Sequence, residues 1–269
     1  MNREIKVIVS GAAGRMGKAI IDLIPSYKNI VLTGALEKEA HPLIGEDINT
    51  VSSGVKGVRI IAQLAEIVKD TDVLIEFSIP QATLDHMEII SSYSNKAMVI
   101  GTTGFTVKEE EKIKEFSKNI ACLKAPNMST GMNLLFNIVG RIAKVLGEDY
   151  DAEIVEAHHN RKVDAPSGTA KRLAEEIASA YDKDLEKIAI FGRKGKAGPR
   201  VKGEIGIHAV RAGGIVGEHR TIFAGGGEQI EIIHRAESRD AFAHGALRAT
   251  QWIAGKKPGL YRMNDILGL

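Results

Sequence analysis

At 269 residues, 44% of them apolar, the chain holds enough hydrophobic side chain to build the cores of one large domain or two modest ones, which excludes a disordered polymer. Lys+Arg 36 against Asp+Glu 34 leaves +2, a balance too even for a nucleic-acid footprint or a membrane-surface patch. The single cysteine, Cys122, excludes an internal disulfide, and no segment approaches the ~18 apolar residues of a membrane span, so a cytoplasmic protein without signal peptide or anchor is expected.

From Ile5 onward, short β-rich runs alternate with stretches of helical spacing, the pattern of a parallel sheet with crossover helices. Strands are expected at Lys6–Ser10, Ile30–Leu36, Val73–Phe77, Ala97–Ile100 and Ala121–Lys124. The helix after the first strand carries Met16, Ile20, Leu23 and Ile24 along one face, which should pack on the sheet. Ligands of open parallel sheets gather beyond the carboxyl ends of the strands, so Gly11, Glu37, Ser78, Gly101 and Asn127 draw attention first.

Gly11-Ala12-Ala13-Gly14-Arg15-Met16-Gly17 lies between the first strand and the first helix, where a phosphate-binding turn belongs. Its glycines allow a tight turn, approach of backbone to a pyrophosphate and close helix–strand packing. The helix start offers amides and a partial positive charge, and Arg15 adds a full one. Glu37, at the end of the second strand, suits ribose hydroxyls, whereas Lys38 beside it suits a 2′-phosphate, so NADH and NADPH both stay open. These features together imply a Rossmann βαβ unit over Ile5–Glu37 that binds a nicotinamide dinucleotide.

After an apolar helical pattern over Met132–Leu146 the character changes. A strand is expected at Glu153–Ala157, a helix at Thr169–Tyr181 and extended runs at Ile188–Phe191, Glu204–Arg211 and Gln229–Arg235. Glycine clusters separate these runs, as in an antiparallel or mixed sheet. Phe242, Ala246, Ala249 and Ile253 then mark a last helix, closed by Pro258-Gly259. The expected fold is α/β: a Rossmann-type parallel-sheet domain over 1–128 plus 240–269, and an α+β domain for substrate binding and oligomerisation over 129–239.

The densest chemistry runs from Glu156 to Ala170, EAHHNRKVDAPSGTA, out of a strand and into a helix. A helix starting near Ser167-Gly168-Thr169 offers free amides, two hydroxyls and a glycine permitting close approach; with Lys162 these would hold a carboxylate. His158 and His159 supply groups able to exchange a proton near neutral pH. Adjacent strand residues point to opposite faces, so the two should divide the work. Cysteines and carboxylates at metal-ligand spacing are lacking nearby, and no metal is expected.

GAAGRMG at Gly11–Gly17, ALEK at Ala35–Lys38, GTTGF at Gly101–Phe105, APNMSTGMN at Ala125–Asn133, the Glu156–Ala170 motif and VGEH at Val216–His219 together resemble the 4-hydroxy-tetrahydrodipicolinate reductases of bacterial lysine and diaminopimelate biosynthesis, over nearly the whole chain. The resemblance implies hydride transfer from NADH or NADPH to a small cyclic dicarboxylate imine, formed as the hydroxylated substrate loses water. It implies His158 as proton donor/acceptor and Lys162 as second catalytic group, with His159, Gly168 and Thr169 on the substrate carboxylates. Gly101, Thr102 and Thr103 with Ala125, Pro126, Asn127 and Met128 would line the nicotinamide and the domain hinge. A homotetramer assembled through the second domain's sheet is implied as well.

Two other readings compete. A semialdehyde dehydrogenase-like oxidoreductase would need Cys122 as nucleophile, although Ala121-Cys122-Leu123 reads as an apolar strand. A non-catalytic NAD(P)-sensing module would have no use for His158 and Lys162 in one loop.

Overall fold

The computed structural model describes residues 3–269, which form two compact units, one running to Thr130 and resumed at Arg239–Gly268, the other spanning Gly131–Ser238. In the first unit, strand β1 (Ile5–Ser10) leads into helix α1 (Arg15–Leu23), followed by β2 (Ile30–Leu36), a two-residue β3 (Ile60–Ile61) and β4 (Val73–Glu76). Then come α2 (Pro80–Ser91), β5 (Ala97–Ile100), α3 (Val107–Phe116) and β6 (Ala121–Lys124). Strands of a sheet covered on both faces need apolar side chains on both, and Val7, Ile8 and Val9 are all wholly buried. Val7 and Val9 pack with Ile20 and Ile21 of α1; Ile8 joins Leu84 and Met87 of α2 and Ile113 of α3. The helix ends are chemically defined too: Pro80 opens α2, and Thr106 with Glu109 forms a reciprocal capping box at α3.

The second unit contains α4 (Thr130–Leu146, whose first residue closes the preceding unit), β7 (Asp151–His158), α5 (Gly168–Ala180) and the single-turn α6 (Leu185–Ile188). The strands β8 (Ala189–Phe191), β9 (Ile205–Arg211), β10 (Gly217–Gly225) and β11 (Glu228–Ala236) complete it. The sheet order is β11-β10-β7-β9-β8, with β10 antiparallel to β7 and β11, and β9 parallel to β7 and β8. The mixed sheet expected from the glycine-separated runs is therefore present. Its inner face, with Ala152, Ile154, Ile205, Ile207 and Phe223, packs against Ala170, Leu173, Ala174 and Ile177 of α5. Strand β10 is an addition to the sequence reading. Its buried positions are Gly217, His219, Thr221 and Phe223, so only one large apolar side chain marks its inner face and the period-2 signal is weak.

The chain then returns to the first unit through α7 (Asp240–Ile253), β12 (Gly259–Tyr261) and α8 (Met263–Leu267). Helix α7 buries Ala246, Leu247, Ala249 and Ile253 in the core shared with α1 and β1. The Pro258-Gly259 pair that reads as a helix stop instead feeds an edge strand parallel to β6, giving a seven-stranded order β12-β6-β5-β4-β1-β2-β3. Among the described residues no helix is long and apolar enough to cross a membrane.

Candidate active site

In the first unit the turn after β1 is built from backbone. Gly11 has φ +72°, and a Cβ there would lie 2.5 Å from the carbonyl oxygen of Phe77. Gly17, inside α1, leaves still less room: a Cβ would fall 2.1 Å from the Gly11 carbonyl oxygen. Helix α1 therefore starts pressed against the turn, with extended Gly14 at its N-cap and no side chain capping it. Gly14 and Arg15 are exposed there, Ala13 and Met16 half-buried, and Ala12 buried. Glu37 reaches across from β2, its Oε1 accepting the Ala13 N–H at 2.9 Å, and Lys38 stands exposed next to it. An uncapped helix start and a carboxylate held at the turn fit the pyrophosphate and ribose of a nicotinamide dinucleotide.

The other residues implied in cofactor binding follow β5 and β6. A Cβ on Gly101 would strike the Phe77 ring at 2.2 Å, so these strand ends are closely packed. Thr102 is buried, its hydroxyl accepting from Thr83 of α2 at 3.0 Å, whereas Thr103 is exposed. Ala125 and Met128 belong to the core, Pro126 is exposed, and Asn127 accepts the Ser129 N–H at 2.9 Å.

In the second unit the site is made of side chains. His158 is the last residue of β7 and His159 lies just beyond it, where strand alternation no longer governs direction. Glu156, two residues before His158 on the same strand, is wholly buried and accepts four hydrogen bonds. Arg211 of β9 gives two, Nη1 at 2.7 Å and Nη2 at 2.8 Å; the Ser167 N–H gives one at 2.9 Å, and His158 Nδ1 one at 2.6 Å. An ionised carboxylate only accepts, so the His158 ring bonded to it carries a proton on Nδ1. The 158–169 loop is drawn in by the same groups. Lys162 donates its N–H to the His159 carbonyl at 3.1 Å and pairs through Nζ with Asp164 at 2.8 Å.

Helix α5 starts at this network. Ser167 is its N-cap, with Oγ accepting the Ala170 N–H at 3.2 Å and lying 3.2 Å from His219 Nε2. Thr169 is half-buried, and Gly168 is exposed, with nothing within 4 Å of where a Cβ would stand, so a ligand carboxylate has direct access to the helix start.

Burial alone would raise the Glu156 carboxyl, but Arg211, His158 and the Ser167 N–H outweigh it and hold it below the usual carboxylate range. Burial lowers the His158 imidazole, and Lys162 and Arg211 push the same way, while Glu156 opposes them. His219, 4% exposed and edge-on to the His158 ring at 5.1 Å between centroids, is driven down to about 3 by burial and by the His158 charge. That shift leaves its ring uncharged near neutral pH. Asp164 stays low because Lys162 offsets its partial burial.

Glu156, Arg211 and His219 carry no role in the residue-level reading, though Glu156 and His219 lie inside its quoted motifs. Arg211 is 55 residues from Glu156 and becomes its partner only through β7–β9 pairing, which sets His158 opposite Arg211. Cys122 lies wholly inside the first unit's core, and burial pushes its thiol up to about 12, which removes the thiolate that a semialdehyde dehydrogenase requires. No group of three or more His, Cys, Asp or Glu placed to hold a metal ion occurs among the described residues.

A Rossmann-like sheet bearing a phosphate-type turn, with a second unit that sets a histidine on a buried carboxylate beside a helix start, is the build of a nicotinamide-dependent oxidoreductase. Residues 5–128 match the family described as dihydrodipicolinate reductase, N-terminus, and residues 131–267 match dihydrodipicolinate reductase, C-terminus; the chain belongs to this family of NAD(P)H-dependent enzymes. Among its curated relatives, the 4-hydroxy-tetrahydrodipicolinate reductase of Syntrophus aciditrophicus is 46% identical, covering 98% of both chains. That of Syntrophotalea carbinolica is 49% identical over 98% of this chain and 99% of its own. The same fold occurs in the dipicolinate-bound dihydrodipicolinate reductase from Paenisporosarcina sp. TG-14, at a TM-score of 0.73, 24% identity and coverage of 96% and 97%.

Proposed function

We propose that this chain reduces 4-hydroxy-tetrahydrodipicolinate to tetrahydrodipicolinate, with loss of water, in the route to diaminopimelate and lysine. When bound, the reduced nicotinamide supplies the hydride. Gly11, Ala12, Ala13, Gly14, Arg15 and Met16 hold its pyrophosphate and Glu37 its ribose. Lys38 admits a 2′-phosphate, so both NADH and NADPH fall within the reading. Gly101–Thr103 and Ala125–Met128 line the nicotinamide.

On the substrate side, the α5 start at Ser167, Gly168 and Thr169, with His159, takes the carboxylates of a small cyclic dicarboxylate. Lys162 draws electron density from the ring, which favours hydride arrival. His158 delivers the proton from Nε2 to the atom next to the reduced carbon, leaving neutral imidazole with Nδ1–H on Glu156. The enzyme works in the cytoplasm as a homotetramer assembled through the second unit's sheet. The carrying observation is the convergence, between the end of β7 and the start of α5, of a buried carboxylate bonded to His158, a lysine and an exposed helix start.

The test follows NADPH and NADH absorbance with freshly generated substrate. Oxidation that depends on substrate is expected, with His158→Gln slowed roughly 100- to 10,000-fold while its cofactor affinity holds. Absence of oxidation with both cofactors would leave a sensing module as the better reading.

A further inference from the structure

Strand β7 turns Ala152, Ile154 and Glu156 toward the inner face of its sheet, and two of the three positions are apolar, as a core requires. The third is a carboxylate at 0% exposure. Such a group is retained against its desolvation cost only when every oxygen is paired, and here both are, twice over. All four donors come from three residues that belong to, or hold, the proposed machinery: His158 itself, the Ser167 N–H at the α5 start, and Arg211, which gives two. Arg211 Nη2 also donates to the Asp164 carbonyl at 2.6 Å, and the Asp164 carboxylate is the one that holds Lys162. One guanidinium thus ties the histidine strand to the lysine loop, and Glu156 carries the link on to the helix start.

We propose that Glu156 and Arg211 act as a pair of positioning residues: Glu156 fixes His158 in its Nδ1–H form with Nε2 presented for proton transfer, and Arg211 fixes Glu156 and the Lys162 loop in register with it. The pair rests on His158 being the proton donor. Arg211 meets Glu156 as a planar fork, a geometry that lysine cannot reproduce although it carries the same charge. The groups facing His158 are Glu156 on its own strand, Arg211 on β9, His219 on β10 and Lys162 in the loop, with Asp164 behind Lys162. Of these, Glu156 is the one that favours the protonated imidazole, and Arg211 and Lys162 oppose it.

The test uses full-length Glu156→Gln, Arg211→Lys and His158→Gln with kcat measured against pH, together with ¹⁵N spectra of the His158 ring in the unaltered enzyme. Glu156→Gln is expected to lose roughly 10- to 100-fold in kcat, as a displaced proton donor does, with cofactor affinity intact. Its falling high-pH limb should move to lower pH by about one unit, since an anion that stabilised the imidazolium has gone. Arg211→Lys should lose kcat with that limb in place, because the charge stays and only the fork is lost. The ring spectra should show a proton on Nδ1 at high pH. A His158 ring protonated on Nε2 in the unaltered enzyme overturns the pairing even where a variant does not fold. So do both variants at near-normal kcat beside an inactive His158→Gln. A fully active His158→Gln instead removes the catalytic reading itself.

Discussion

The glycine-rich turn of the first unit and the histidine loop of the second both fit anionic ligands, but they are made of different material. The turn consists of backbone: a left-handed Gly11, an α1 start with no side-chain cap, and one carboxylate, Glu37, bonded to a main-chain amide. The loop consists of charge. Its helix start is capped by its own Ser167, and its geometry is held by Glu156, Arg211, Lys162 and Asp164. A backbone site fails when a single atom is added, since main chain cannot step aside. A side-chain site fails when a charge or a hydrogen bond is removed, and it fails in degrees.

The sharpest way to break that contrast is Gly17→Ala. The added methyl would meet three main-chain atoms of Gly11 and Ala12 between 2.1 and 2.8 Å away, with no flexible side chain among them to yield. Loss of cofactor binding and a large fall in the first unit's stability are expected, read by dinucleotide titration and thermal melting; a variant that binds normally would refute the steric account. Lys162→Ala attacks the loop instead. It should keep its fold and cofactor affinity and lose on the order of 100-fold or more in kcat, so that steady-state kinetics beside cofactor titration separates the two kinds of site.

How legible each site was follows from the same contrast. The turn is encoded by consecutive residues after an apolar run, so the strand, the glycines, the helix face and Glu37 could all be placed from local spacing. In the loop, His158, Lys162 and Ser167 are equally local. The hidden half is set by strand pairing. Arg211 meets Glu156 through the parallel β7–β9 ladder, and His219 reaches Ser167 from β10, 52 residues away. Strand β10 was itself obscure because histidine and threonine fill inward positions where valine or isoleucine would have announced it. His219, the inward residue that meets Ser167, thus helps to hide the strand that carries it.

The buried histidine makes the second unit sensitive to acid. His219 is lowered from 6.5 to about 3, so between those values the unfolded chain binds a proton that the folded one refuses. Stability contributed by this residue is full above the unfolded value and drains away as pH falls through the window, at about 1.4 kcal/mol per pH unit. Depressed His158 and His234 add in the same direction. Denaturant unfolding at about pH 6 and about pH 5 should show this slope, and His219→Phe should flatten it. An equal slope in His219→Phe would mean that the histidine is not held neutral.

The smallest expected effect is the most discriminating, because it asks whether the α5 start binds through its backbone or through its cap. Ser167→Ala removes the hydroxyl that accepts the Ala170 N–H and meets His219, yet leaves the Ser167 N–H on Glu156. Loss of an N-cap costs about 1 kcal/mol, which should appear as a modest fall in the second unit's stability. With His158 still held by Glu156, kcat should stay near normal while KM for the dicarboxylate rises by up to about tenfold, the equivalent of ~1.4 kcal/mol. Ser167→Thr, which keeps the hydroxyl, should restore KM. A kcat loss comparable to that of Lys162→Ala would mean that the cap, and not the buried carboxylate, keeps the proton donor in place.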